Sequence, residues 1–357
     1  MKIAYYVTSH GFGHGVRACA ICNHLSHTTS VVFRTTLPES FLKEEVKRSF
    51  DYCPKSFDCG CVQSDGVTVD IEKTIAAYSA IAKNNAATLA EEAAWCRTNR
   101  IDGIISDIVP FAFEVAEACA VPSIAVTNFT WYDIYQEYCK AYPDFRPIVE
   151  KIQAQYRSAD LLLALSPSLP MAYFTKRKSM GIVGRLGSNI REDISEAFAV
   201  PRGKNMGLIY TGTFGMDAMA WTTLERFKAW EFFGLYPLPG NPANYHVVTK
   251  TDFSYQDIIA SVDCVISKMG YGVYAECVLN GVPLIYLPRE AFAEYPALDG
   301  AMAAGGSGYR VSHREFYNFF WDEALARALS RPRPAPAQSD GAKRCAREIE
   351  KMLEKHQ

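Results

Sequence analysis

A chain of 357 residues is too long for one small hydrophobic core and fits two domains of ordinary size. With 49% apolar and 21% charged residues, it has the composition of a soluble globular protein. The 37 Lys and Arg stand against 39 Asp and Glu, a formal charge of -2, which argues against a nucleic-acid footprint or a polybasic membrane anchor.

The chain opens on KIAYYV, a continuous apolar run that predicts a strand buried on both faces. HGFGHGVR follows, and its glycines at 11, 13 and 15 are expected to let the backbone turn before a helix over 16–25. Such a corner sits at the carboxyl edge of a parallel sheet, where open α/β folds bind ligands, and His14 is expected to point from it into a cleft. A strand is expected over 29–35, then an irregular stretch over 43–63 in which Cys and Gly break any period. The longest helical pattern covers 70–99. A strand over 101–105 ends at Ser106 and Asp107, a helix covers 111–119, and a strand over 123–127 leads to Asn128, Phe129, Thr130 and Trp131. Residues 132–156 read as helix with breaks at Pro143 and Pro147, and 160–166 as a short strand.

A second series begins after residue 184, with 185–193 expected to act as a hinge. A strand over 206–211 leads to Gly212, Thr213, Phe214 and Gly215, then a helix over 222–229. Strands over 232–238 and 245–249, a helix over 255–261, a strand over 264–267 and a helix over 272–280 follow. The series ends with a strand over 282–287, an acidic and aromatic loop over 289–299, an extended linker over 331–336 and a charged closing helix over 345–356. Strands alternating with helices at these lengths mean α/β domains with doubly wound parallel sheets, here over 1–185 and 186–330, with 331–357 as linker and closing helix.

No apolar stretch approaches the roughly 20 residues of a spanning helix. The first residues lack a signal-peptide pattern, so a cytoplasmic location is expected. Eleven cysteines are then expected to be reduced thiols. The Cys19 and Cys22 pair falls on an apolar helix, and neither it nor the group Cys53, Cys59 and Cys61 has zinc-partner spacing.

Two roles are open to HGFGHGVR: a glycine-rich turn with solvent-facing histidines, or a site where amides approach a ligand and an imidazole takes a proton near neutral pH. Asp107, past its strand, either caps the next segment or orients a histidine. Gly212 to Gly215, and Gly270 with Tyr271 and Gly272, each follow a strand and precede a helix, as a diphosphate site requires. Glu276, in the second of those helices, is either a solvated charge or a bidentate acceptor for paired hydroxyls.

HGFGHGVR, SDIVPFAFEVA with VTNFTWYDIYQEY, and ISKMGYGVYAECVLNGVPLIYLPREAFAEYPAL together resemble the glycosyltransferase-like half at the N-terminus of plant arabinose kinases. More distantly they resemble nucleotide-sugar glycosyltransferases of the GT-B fold. The resemblance implies two Rossmann-like domains facing across a cleft, without the sugar-kinase half of the plant proteins. It assigns His14 as catalytic base with Asp107 as partner. Donor nucleotide binding falls to Gly212, Thr213, Phe214, Gly215, Lys268, Met269, Gly270, Tyr271, Gly272 and Glu276. Gly11, Phe12, Gly13, Arg17, Asn128, Trp131, Glu294 and Tyr295 are expected on the donor sugar or acceptor, Glu294 and Tyr295 standing where the family often has an acid and an amide. Phe12, Trp131, Tyr132, Tyr135 and Tyr138 are acceptor-side candidates, although aromatic residues at helical spacing also read as core.

The activity implied is inverting transfer of a sugar from a nucleoside-diphosphate sugar, a UDP-sugar first, to a small-molecule or glycan hydroxyl. No D-x-D pair occurs, so no cofactor and no metal is expected; amides and a helix dipole would hold the diphosphate. Two other readings keep the donor: a hydrolase of the same fold, since Gly11, Gly13, His14 and Arg17 partly match a G-x-G-H-x-x-R loop, and a non-catalytic nucleotide-sugar-binding protein.

Overall fold

The computed structural model describes residues 1–63, 68–210, 219–249, 251–290 and 292–356. The chain divides into two compact units, the first formed by Met1–Val62, Val69–Gly184 and Ser339–Gln357, the second built on Arg185–Gln338.

The first unit runs β1 (Lys2–Val7), α1 (Phe12–Cys22), β2 (Ser30–Arg34), α2 (Glu39–Glu45), β3 (Asp51–Tyr52), α3 (Ile71–Thr98), β4 (Gly103–Asp107), α4 (Phe111–Cys119), β5 (Ser123–Thr127), α5 (Trp131–Tyr138), α6 (Arg146–Arg157), β6 (Leu161–Leu165) and β7 (Arg177–Gly181). Its sheet has the order β3-β2-β1-β4-β5-β6-β7 with parallel pairing. Strands β4, β5 and β6 are buried along their whole length, as continuous apolar runs in a doubly covered sheet must be. Strand order reverses between β1 and β4, whose register runs from Ile3 opposite Gly103 to Val7 opposite Asp107. The chain therefore leaves these two strands at the same edge in diverging directions, which opens a crevice there.

Two expectations change, and one strand is new. Helix α1 begins at Phe12, so Gly13 and Gly15 lie inside its first turns; only Gly11 stays outside, in extended backbone. Gly15 answers to packing, since a Cβ there would lie 2.5 Å from the Phe41 ring and 2.7 Å from Leu37. Pro147 sits in the first turn of α6, where a missing amide costs nothing, so it opens a helix instead of breaking one. Strand β7, sequence RKSMG, has no apolar run to announce it because it is an edge strand with three exposed residues.

The second unit runs α7 (Arg191–Ala197), β8 (Asn205–Tyr210), β9 (Trp230–Gly234), β10 (Tyr245–Val247), α8 (Tyr255–Ser261), β11 (Cys264–Lys268), α9 (Tyr271–Asn280), β12 (Leu284–Leu287), α10 (Tyr295–Gly305), β13 (Gly308–Arg310), α11 (His313–Tyr317) and α12 (Asp322–Ser330). Its parallel sheet, β10-β9-β8-β11-β12-β13, reverses between β8 and β11, repeating the plan of the first. The helix expected over 222–229 is a 3-10 turn, Trp221–Arg226. Trp221, Leu224 and Phe227 recur every three residues, the period of that tighter helix, and all three are buried. The loop expected over 289–299 turns into α10 at Tyr295, with Pro296 in its first turn.

Residues 185–193 are not a free hinge. The Gly187 amide donates to Asn280, Ser188 to Asp257 and Ile190 to the Ser261 hydroxyl, and α7 starts at Arg191. The closing helix, α13 (Gly341–Leu353), belongs to the first unit. There Arg344 donates to the Ser179 and Met180 carbonyls of β7, and Glu350 accepts from Ser26 and Thr29.

Candidate active site

His14 lies in the first turn of α1, and Arg17 three residues later on the same face. Both turn toward the end of β4. His14 Nδ1 stands 2.8 Å from Asp107 Oδ1. Arg17 donates to the same carboxylate through Nε to Oδ2 and Nη2 to Oδ1, both at 2.6 Å, and through Nη1 to Asn128 Oδ1 at 2.6 Å. Asp107, Arg17 and Asn128 are buried, whereas the His14 side chain keeps 12% of its surface exposed. Burial alone would push the Asp107 carboxyl up, but the Arg17 charge and hydrogen bonds, followed by His14, outweigh it and hold Asp107 below the ordinary carboxylate range.

That ionised carboxylate decides the imidazole tautomer. Nδ1 also lies 3.0 Å from Arg17 Nη2, and a guanidinium can only donate while a carboxylate can only accept. The contact to Asp107 is the shorter, and the two Nη2 protons have acceptors in Asp107 Oδ1 and Thr127 Oγ1, so Nδ1–H donates to Asp107. The lone pair then sits on Nε2, the tautomer a general base needs.

A second buried carboxylate lies beside this group. Asp58 accepts from the Thr8 hydroxyl at 2.9 Å and the Trp131 indole at 2.7 Å. Burial raises its pKa, against the lowering effect of those two bonds. Nothing in the irregular stretch over 43–63 marks it, because its partners are 50 and 73 residues away. His10 was missed for a similar reason: its Nδ1 accepts from the Cys61 amide at 3.3 Å and its ring meets Trp131 edge-on at 5.3 Å.

Trp131 offers no face to an acceptor. It is fully buried, stacked on Tyr135 at 5.6 Å, with its N–H committed to Asp58. Tyr135 and Tyr138 are core as well. Arg17 and Asn128 are likewise buried, with Arg17 donating to Asn128 and to the carboxylate that meets His14. At the surface beside His14 stand Phe12, 46% exposed, with Gly13 half-buried and Gly11 facing open space. All eleven cysteines are free thiols. Among the described residues, no three His, Cys, Asp or Glu side chains form a group able to hold a metal ion.

In the second unit, Gly212, Thr213, Phe214 and Gly215 lie outside the described residues. Lys268 ends β11, Met269 is buried, and Gly270 caps α9 from extended backbone with open space where a Cβ would be. Tyr271 and Gly272 form the first turn, so the amides at the start of α9 lie beside the second reversal of strand order. Glu276 is no solvated charge: it is buried, and Arg185 Nε donates to its Oε1 at 2.5 Å. Glu294 is buried immediately before α10, and the Tyr295 hydroxyl donates to Asp299 at 2.9 Å.

No protein-family model matches the chain. Its fold is that of the GT-B glycosyltransferases. TcCGT1 in complex with UDP superposes with a TM-score of 0.66 at 13% identity, covering 100% of this chain and 99% of that one. UGT2 of Phytolacca americana, complexed with UDP-2-fluoro-glucose and pterostilbene, gives 0.62 at 13% identity, covering 99% and 94%. In sequence the chain is related to the L-arabinokinase of Arabidopsis thaliana, 30% identical over 340 residues, which is 92% of this chain and 32% of that protein. The chain thus spans about a third of the length of the curated relative it matches. Among the described residues no helix is long and apolar enough to cross a membrane.

Proposed function

We propose that the protein is a glycosyltransferase that moves a sugar from a nucleoside-diphosphate sugar, a UDP-sugar first, to a hydroxyl acceptor, without a metal and with inversion. The observation that carries this reading is the Arg17–Asp107–His14 chain at the strand-order reversal of the first unit, with Nε2 left as the basic nitrogen. His14 Nε2 takes the acceptor's proton as its oxygen bonds to the anomeric carbon. The bond from that carbon to the diphosphate oxygen breaks, and the nucleoside diphosphate leaves with the electron pair. Asp107 steadies the imidazolium, and Arg17, already donating to both Asp107 oxygens, keeps the carboxylate from taking the proton itself. In the second unit the amides opening α9 receive the diphosphate charge, and Glu276 receives the ribose hydroxyls. The solved proteins of this fold that hold UDP or a UDP-sugar analogue support the choice of donor.

A second reading rests on the 30% identity to a protein named for phosphorylating arabinose: phosphoryl transfer from ATP to a sugar. A thermal-shift screen across nucleoside diphosphates, their sugars and ATP separates the two, because a ligand that binds only the folded state raises its melting temperature. UDP and UDP-sugars are expected to raise it. A rise with ATP and arabinose, and none with any nucleoside diphosphate sugar, would replace the first reading with the second.

A further inference from the structure

Glu276 and Arg185 are 91 residues apart, and the fold brings them together with some care. Arg185 is the first residue of the second unit after Gly184. Asn280, one turn beyond Glu276 on α9, donates to the Arg185 carbonyl at 3.1 Å and accepts from the Gly187 amide at 2.9 Å. Ser188 N donates to Asp257 at 2.7 Å, and Ile190 N to Ser261 Oγ at 2.8 Å. A Cβ on Gly187 would lie 2.0 Å from the Gln256 carbonyl oxygen, so the segment runs flush against the backbone of α8. The guanidinium is aimed by these ties: Nε donates to Glu276 at 2.5 Å and the guanidinium carbon stands 5.3 Å from the Tyr255 ring centroid, within cation–π range.

A buried carboxylate needs a cation or it tends to take up a proton, and a protonated acid loses acceptor capacity. A carboxylate also has about four acceptor positions and can serve several donors at once. We propose that Arg185 is a positioning residue of the donor site, holding the Glu276 carboxylate charge-balanced and fixed so that it accepts from the paired hydroxyls of a ribose. This rests on the donor reading above. It gives the segment leading into the second unit a direct part in nucleotide recognition.

The experiment compares UDP with 2′-deoxy-UDP by calorimetry on the full chain. Wild type is expected to prefer the ribonucleotide by about 10- to 100-fold, the worth of hydroxyl bonds to a charged group. Arg185→Gln and Glu276→Gln are each expected to bring that ratio to within about threefold of one, mostly by weakening UDP. The double variant Arg185→Gln/Glu276→Gln leaves no unpaired buried charge and so keeps the measurement open if a single variant fails to fold; its ratio is expected to match the singles. A wild-type ratio retained in Arg185→Gln overturns the inference while leaving the donor reading intact; a ratio near one in wild type, or a wild-type ratio retained in the double variant, overturns it together with the placing of Glu276 on the ribose, while UDP remains the donor nucleotide. Equal weakening of both nucleotides by Arg185→Gln means a merely structural role and overturns it too. A wild-type protein that binds no nucleoside diphosphate overturns both.

Discussion

Arg17→Met is the perturbation whose cost the structure sets most clearly. The side chain is 2% exposed and its guanidinium makes three bonds of 2.6 Å, two of them to the two oxygens of a carboxylate with no exposed surface. Methionine has comparable length, so little volume is lost. What remains is Asp107 buried with only His14 on its side chain, and Asn128 Oδ1 without its donor. Breaking a buried pair from one side costs about 3–5 kcal/mol, because the abandoned charge stays in low dielectric. Native-state hydrogen exchange reads this from the first unit alone, at the Tyr5, Tyr6, Ile104 and Ile105 amides of β1 and β4. That loss corresponds to exchange faster by roughly 150- to 5,000-fold at amides that open only on unfolding. Arg17→Met/Asp107→Leu removes the orphaned charge as well and is expected to recover at least half of the loss. Exchange accelerated less than tenfold in Arg17→Met, or a double variant worse than the single by the full sum of both, would refute the view that Arg17 and Asp107 form one charge-balanced unit.

Asp107 is held below the ordinary carboxylate range, so its ionised form is the folded form: its contribution is present above the unfolded value near pH 4 and lost as pH falls through the folded value. Urea unfolding of Asp107→Asn from pH 2 to 6 should therefore show a flatter loss of stability toward acid than wild type; parallel curves would contradict this. Gly60 has φ of 62°, and a Cβ there would lie 2.1 Å from His10 Nδ1. Gly60→Ala should cost about 1–2 kcal/mol from the left-handed backbone alone and displace His10, measured by unfolding midpoint; an unchanged midpoint is the contrary result. Burial pushes the thiols of Cys22, Cys96 and Cys345 up to about 12, so all three should resist iodoacetamide at pH 8 in folded protein and react after denaturation, as peptide mass analysis would report. Prompt labelling of folded protein would contradict it.

The central strands were legible because a strand covered on both faces carries an uninterrupted apolar run, as KIAYYV and LLLAL do. His14 was legible because an imidazole among glycines after such a strand has few packing reasons to be there, and Asp107 because it ends the neighbouring strand. What supports them was not. Arg17 is expected from the sequence on the donor sugar or acceptor; its bonds to Asp107 and Asn128, 90 and 111 residues away, are visible only in the fold. Asp58 has no local pattern, since its role comes from Thr8 and Trp131 on other elements. The aromatic stripe over 131–138 is open to ligand contact, although such spacing is more often core, and only burial separates the two: the ring of Trp131 is enclosed. Arg185 looked like part of a flexible connector because Gly and Ser surround it. Gly187 is there for close approach to α8, which only the neighbouring backbone reveals. Edge strand β7 lacked the apolar run that announces central strands.

The central claim is that His14 supplies a base while the second unit holds the donor by itself. Turnover of a panel of UDP-sugars with hydroxyl acceptors, followed as UDP released by wild type and His14→Ala, tests it most directly when paired with UDP affinity for both proteins. The account predicts that His14→Ala binds UDP within about twofold of wild type and turns over about 10²- to 10⁴-fold more slowly, the usual worth of a general base. Equal turnover in the two proteins, or UDP binding lost together with turnover, would contradict it.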